Sequence, residues 1–171
     1  MILSPSYTNL HYFVAHAFNR QRMQARTESL LAKISGRNSR LKYLSEDIPS
    51  NVQTKLYSGV QNILTEKIVG TINRTDDFDR EFRPRKAHLR NRWVNMFILL
   101  QSDGWSPIVV HKVGDVYYVE DGHHRVSVAR SVGMLFMEAI VWDHAIQAVQ
   151  PCPCRKPRQF AAKPLCACAL D

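Results

Sequence analysis

Long apolar runs are missing from this chain. The longest, "VNMFILL", falls far short of the roughly 20 residues a membrane helix needs, so no membrane span is expected. A secretory start is missing too. "MILSPSYTNLHYF" has no charged residue ahead of an apolar core, which makes a cytoplasmic location the expectation. Cysteine is absent from the first 151 residues. All four cysteines fall in the final stretch, "PCPCRKPRQFAAKPLCACALD", so no disulfide framework can staple the body. Neither an internal repeat nor a low-complexity tract is present. Acids are few, 15 against 23 Lys and Arg, for a formal charge of +8.

That charge is unevenly placed. Residues 1–45 hold seven Lys and Arg and one acid, and residues 46–143 hold twelve and thirteen. The tail from residue 144 holds four bases and one acid. Basic character therefore belongs to the flanks, where it can attract a phosphate backbone or simply coat a solvated helix. Nonspecific DNA is the partner these flanks imply.

At 171 residues the chain suits one domain with extensions. The pattern divides it into a basic helical extension and linker (residues 1–58), a mixed α/β body (59–146) and a Cys/Pro-rich tail (147–171). Leu10, Phe13, Val14, Ala17 and Phe18 follow a helical period from Asn9. Thr27 to Ile34 either continues that helix or forms a second, and Gly36 with Asn38 stops it. Val60 to Leu64 and "IVGTI" are short extended pieces. "NRTDDFDREFRPRK" is a charged loop. Leu89, Trp93, Met96, Phe97 and Leu100 make one apolar helical face over residues 87–101. "PIVVHKV" and "VYYVE" read as a hairpin around Gly114-Asp115. His123 to Ser131 reads as a helix closed by Gly133, and "FMEAIVWD" as a last strand.

Three groups of residues point to chemistry. The first is the strand-to-helix junction Asp121-Gly122-His123-His124-Arg125. A helix start offers unpaired N–H groups and the positive end of the dipole. Gly122 permits a tight turn or a close approach, and Asp121 is placed to cap the helix. Arg125 supplies a forked donor suited to phosphate. His123 and His124 titrate near neutral pH. The residue types alone equally suit an Asp-capped helix with two exposed histidines. The second is "RTDDFDREFRPR". Asp76, Asp77 and Asp79 are of the type that holds Mg²⁺ beside a nucleotide, and Arg74, Arg80, Arg83 and Arg85 are of the type that neutralises phosphate. A solvated loop of local ion pairs fits the same residues. Glu66 and Glu120 are spare general bases. The third is the tail, where Cys152 and Cys154, and Cys166 and Cys168, are each separated by one residue. Structural zinc pairs are usually wider, so a loose tail is expected and zinc is not. Among aromatics, Trp93 and Phe97 suit the core. Tyr117 and Tyr118 face opposite sides of a strand, so at most one lines a site.

"VEDGHHRVSVAR" resembles the signature of the ParB/sulfiredoxin superfamily, and the resemblance runs from about Leu64 to Trp142. "IVGTINRTDDFDREFRPRKAHLRNRW" and "PIVVHKVGDVYYVEDGHHRVSVARSVGM" both look like uncharacterised bacterial ParB-like proteins. In the partitioning proteins the turn is Gly-Glu-Arg-Arg, matched here by Gly122 and Arg125. In sulfiredoxins it is Gly-Gly-Cys-His-Arg; Gly122, His124 and Arg125 match, but His123 stands where the catalytic cysteine would be. Reductase activity is therefore not implied. Related restriction and DNA-modification proteins carry Asp-Gly-Gln-His-Arg. Free serine kinases carry Asp-Gly-His-Thr-Arg, matched by Asp121, Gly122, His123 and Arg125. The resemblance implies a small mixed-sheet α+β domain that binds CTP or ATP, with Mg²⁺, at Asp121, Gly122, His123, His124 and Arg125, with Arg74 nearby. It implies a nucleotide-binding, DNA-associated regulator, or else an Mg²⁺-dependent phosphotransferase or nuclease acting through Asp77, His123 and His124. The fold by itself does not choose between these.

Overall fold

The computed structural model describes residues 7–47, 55–73, 76–102 and 104–144. Helix α1 (Tyr7–Ile34) leads into a two-residue strand β1 (Lys42–Tyr43) and a single turn α2 (Leu44–Asp47). Strands β2 (Lys55–Leu64) and β3 (Ile68–Thr71) precede helix α3 (Arg90–Ser102). The hairpin β4 (Ile108–Val113) and β5 (Val116–Asp121) comes next, then helix α4 (His123–Ser131) and strand β6 (Phe136–His144). The strands form one mixed six-stranded sheet in the order β1-β3-β5-β4-β6-β2. The architecture is thus the mixed α+β one expected, with a helix at its N-terminal end. No helix among the described residues is long and apolar enough to cross a membrane.

One core joins the helices to one face of the sheet. Ile108, Val110, Val119, Met137, Ala139 and Val141 meet Val14, Phe18, Trp93, Phe97, Val126 and Ala129 there. The strand period of two explains the selection, since alternate residues share a face. His111, Tyr118 and Trp142, aligned across β4, β5 and β6, lie on the opposite face.

Helix α1 runs unbroken to Ile34, so Thr27 to Ile34 continues it. It stops at Gly36 (φ 66°), where Arg37 N–H bonds the Ala32 carbonyl at 2.9 Å, a left-handed C-terminal cap. The sequence reads α1 as an extension, but its side chains are part of the core: Phe18 packs on Trp93 with ring centroids 5.7 Å apart. β2 begins at Lys55, four residues ahead of the Gly59 at which the body is expected to start. The tail at residues 147–171, with its four cysteines, lies outside the described residues, as does Arg74.

The charged loop owes its shape to a buried acid. Asp79 is 1% exposed, and its carboxylate accepts the N–H groups of Glu81 (3.0 Å) and Arg83 (2.7 Å). Burial raises its pKa above the ordinary carboxylate value, against the pull of those bonds and of the Arg83 guanidinium. The turn it holds forces Phe82 to φ 58°. A non-glycine residue there costs of order 1–3 kcal/mol. Full burial of the Phe82 ring against the core offsets this.

Candidate functional site at the start of helix α4

β5 and α4 are joined through Gly122. The ladder between β4 and β5 skips a residue, pairing Val109 with Asp121 and Val110 with Val119, so Glu120 bulges. Bulges of this kind bend a strand and re-aim the side chains beyond it. Gly122 then adopts φ 105° as the residue before the helix, and Val126 N–H closes the first turn on its carbonyl at 3.0 Å. A Cβ at position 122 would sit 2.5 Å from Ile108 Cγ2, so the position requires glycine twice over.

Among the described residues no side chain caps α4 by a hydrogen bond. Asp121 does not take the role expected of it: its carboxylate instead accepts from Arg125 Nη2 at 2.5 Å. Arg125 also departs from expectation. Its Nη1 donates to the Ser106 carbonyl (2.6 Å), Ser106 Oγ (3.0 Å) and the Pro107 carbonyl (3.0 Å), and its side chain is only 13% exposed. The guanidinium fork therefore clamps the loop before β4 to the helix start. Four spent bonds leave Arg125 building the site wall more than reaching out from it.

The histidines are buried, at 4% and 6% exposure, and not exposed as an Asp-capped helix would have them. Thr71 Oγ1 lies 2.7 Å from His123 Nε2 and 3.3 Å from the Val119 carbonyl, which anchors the ring to the end of β3. Phe78 stacks on His123 and meets the edge of His124. Both histidines nonetheless line a cleft of about 230 Å³ that opens over the start of α4. Its other walls include Arg92 from the first turn of α3 and Trp105, whose indole N–H bonds the Met96 carbonyl at 2.9 Å. Sequence reasoning singled out neither residue. The signal for Arg92 is its place on the polar side of α3, in the first turn of that helix; Trp105 has none beyond being an aromatic in a loop.

The three loop acids do not come together. Asp76 pairs with Arg40 at 3.6 Å, Asp77 with Lys86 at 2.8 Å, and Asp79 is folded inward. None of them lines the α4 cleft. Among the described residues no group of three or more His, Cys, Asp or Glu is arranged to hold a metal. Glu66 faces a different cleft.

Glu120 belongs to a hydrogen-bonded chain on the opposite face of the sheet. His111 Nε2–H donates to Glu120 at 2.6 Å, so His111 Nδ1 accepts from His144 Nε2–H at 2.7 Å. The bond from His111, helped by Lys55, holds Glu120 below the ordinary carboxylate pKa. Desolvation, then unfavourable interaction with His111 and the Lys55 ammonium, depresses His144, against a weaker pull from Asp143. A histidine depressed in the folded state binds its proton first in the unfolded chain, so stability is lost as pH falls through about 6.5. In urea titrations between about pH 7 and 5.5, His144→Gln should flatten that loss; an unchanged pH slope would show that His144 is not its source.

No family model and no curated protein matches the chain. Among solved structures it is similar to sulfiredoxin from Arabidopsis thaliana, with 22% identity over 48% of this chain and 82% of that one, and a TM-score of 0.37. A likeness that loose leaves the role of the chain to be argued from its own side chains.

Proposed function

We propose that the start of α4 receives the phosphate groups of a nucleoside triphosphate, CTP or ATP, and that the protein is a binding module. The observation that carries this is the uncapped start of a nine-residue helix opening into a cleft with Arg92 on its wall. Backbone N–H groups and the helix dipole favour an anion there, and Arg92 adds a forked, charged donor. The cleft's 230 Å³ is below the roughly 300–1,000 Å³ of pockets that enclose a whole drug-sized ligand. It suits the phosphate chain, with the sugar and base outside and the Trp105 ring beside them for stacking.

Among the described residues no group of carboxylates at this cleft is arranged to hold Mg²⁺. The acid nearest the cleft, Asp121, is committed to Arg125, so a cation would arrive on the phosphates. The phosphotransferase or nuclease reading needs Asp77 beside the histidines, and Asp77 is instead paired with Lys86 outside the cleft. Exposed Arg20, Arg26 and Arg37 on and just after α1 support weak, salt-sensitive contact with DNA. Because α1 is part of the core, charge reversal at these positions tests that contact and deletion of the helix does not.

Arg92 is exposed, so Arg92→Ala should leave the urea midpoint unchanged. It should weaken triphosphate binding by about tenfold or more, the usual worth of a charged hydrogen bond. Calorimetric titration with CTP and ATP, with and without Mg²⁺, reads the effect. If neither nucleotide at millimolar concentration raises the melting temperature of the wild-type protein, the proposal fails, because a ligand of the folded state must stabilise it.

A further inference from the structure

A larger cleft, of about 630 Å³, lies away from the start of α4. It is walled by α1, the second half of α4, the segment from Leu64 to Val69 and the turn that Asp79 holds. Its volume is within the range of sites that enclose a small metabolite. Its charge is lopsided: Lys42, Arg80, Arg83 and Arg130 against Glu66 and Glu81. Arg80 and Arg83 come from one turn, and folding brings Lys42 of β1 and Arg130 of α4 to them.

The bases differ in what they are free to do. Arg130 is spent on the wall, donating to the Ile68 carbonyl (2.7 Å), the Thr65 carbonyl (3.2 Å) and Glu81 (3.4 Å). Its guanidinium also lies 5.1 Å from the centroid of the Phe82 ring. Arg83 leans on Asp79 at 3.7 Å. Arg80 is exposed and makes no ion pair with a described residue, while its backbone N–H is anchored on the Ser39 carbonyl at 3.0 Å. The strained turn thus buries Phe82 and presents Arg80 at the cleft on a fixed backbone.

Uncharged polar groups share the rest of the lining with apolar side chains such as Leu64, Val69 and Met134. Gln21 and Gln24 come from α1. Thr65 is 3% exposed, and its hydroxyl has no hydrogen-bond partner among the described residues. Buried hydroxyls are almost always bonded, so an unpartnered one in the lining of a cavity marks a place that something else completes.

We propose that this cleft binds a small phosphomonoester bearing hydroxyl groups, of the size of a sugar phosphate. The excess of bases over acids in the lining suits the charge of about −1.5 to −2 that a phosphomonoester carries at neutral pH. Arg80 grips the phosphate, for which a guanidinium fork is suited. The glutamines, Glu66 and the Thr65 hydroxyl meet the polyol. The assignment does not depend on the nucleotide reading of the α4 start.

Ribose 5-phosphate, inorganic phosphate and ribose are the probes, titrated by calorimetry and by thermal melting into the full chain. Ribose 5-phosphate should bind one to one, and both other probes at least about tenfold more weakly, since each lacks one half of the contacts. Arg80→Ala should weaken ribose 5-phosphate by a similar factor with the urea midpoint unchanged, and Arg92→Ala should leave it as in the wild type. Conversely, any response to CTP or ATP should survive Arg80→Ala, so the two sites fail separately. The proposal is overturned if ribose 5-phosphate at millimolar concentration neither binds nor raises the melting temperature. It is overturned equally if Arg80→Ala has no effect, if inorganic phosphate binds as tightly, or if a single-stranded oligonucleotide occupies the Arg80 site in preference to the sugar phosphate.

Discussion

Replacing Gly122 with alanine should lower the unfolding free energy by about 3 kcal/mol or more, the sum of two separate penalties. A non-glycine residue held at positive φ costs of order 1–3 kcal/mol, and Gly122 sits at φ 105°. The new methyl would also lie 2.5 Å from Ile108 Cγ2, 2.9 Å from Ile108 Cβ and 3.2 Å from Arg125 Nε. Ile108 is 1% exposed and belongs to the core, so it has nowhere to go, and overpacking of this kind costs about 1–3 kcal/mol. For a domain whose whole stability is roughly 5–15 kcal/mol, that is a large share. Urea unfolding of the single variants and of the double variant with Ile108→Ala separates the two parts. The double variant should lose the 2.5 Å collision with Cγ2 while the close approach to the Cβ at position 108 and the backbone strain remain, which makes the pair non-additive. A loss under about 1 kcal/mol for Gly122→Ala would mean that the junction relaxes freely, and that its shape is not imposed by packing.

Trp93→Ala should cost about as much, by a different route. Trp93 is fully buried between Phe18 of α1 and Phe97 of α3, with centroids 5.7 and 5.8 Å away. Removing such a ring costs roughly 3–5 kcal/mol in transfer and cavity terms. Its indole N–H also donates to Ser127 Oγ at 2.9 Å, tying α3 to α4. Trp93→Phe keeps most of the volume and deletes that bond, so it should cost about 1–2 kcal/mol. Equal losses for the two variants would assign the whole effect to the hydrogen bond. Trp93→Ala should also loosen α1, read as faster amide exchange at Val14 and Phe18. Unchanged exchange there would show that α1 is held by other contacts.

Much of the scaffold is legible in the residues. The hairpin β4-β5 comes from two alternating runs around Gly114-Asp115, and α3 from its single apolar face. α4 with its Gly133 stop comes from a short apolar period. Local chemistry decides these elements, so local reading finds them. The site is legible in outline only. Asp121 and Arg125 stand four apart, the spacing of a helical ion pair as well as of a cap and a phosphate ligand. Only the position of the Ser106 and Pro107 carbonyls, nineteen and eighteen residues upstream of Arg125, decides between those roles. Asp79 sits in a run of charges that looks solvated; its burial depends on Phe78 and Phe82 reaching a core that no local pattern displays. Arg80 reads as a phosphate partner by residue type, but its cleft is assembled from five separate segments. Arg92 and Trp105 reach the α4 cleft across long stretches of sequence, which periodicity does not register.

Arg125 has one more consequence. Its four hydrogen bonds tie the Ser106–Pro107 loop to the helix before any ligand arrives. A site set in advance spends little of its binding energy on ordering loops. It also has little room to reshape itself around a poor fit. Selectivity at the start of α4 would then come from rejection: a ligand of the proposed kind that does not match the fixed N–H groups beside the clamped loop finds no second arrangement of the backbone to settle into.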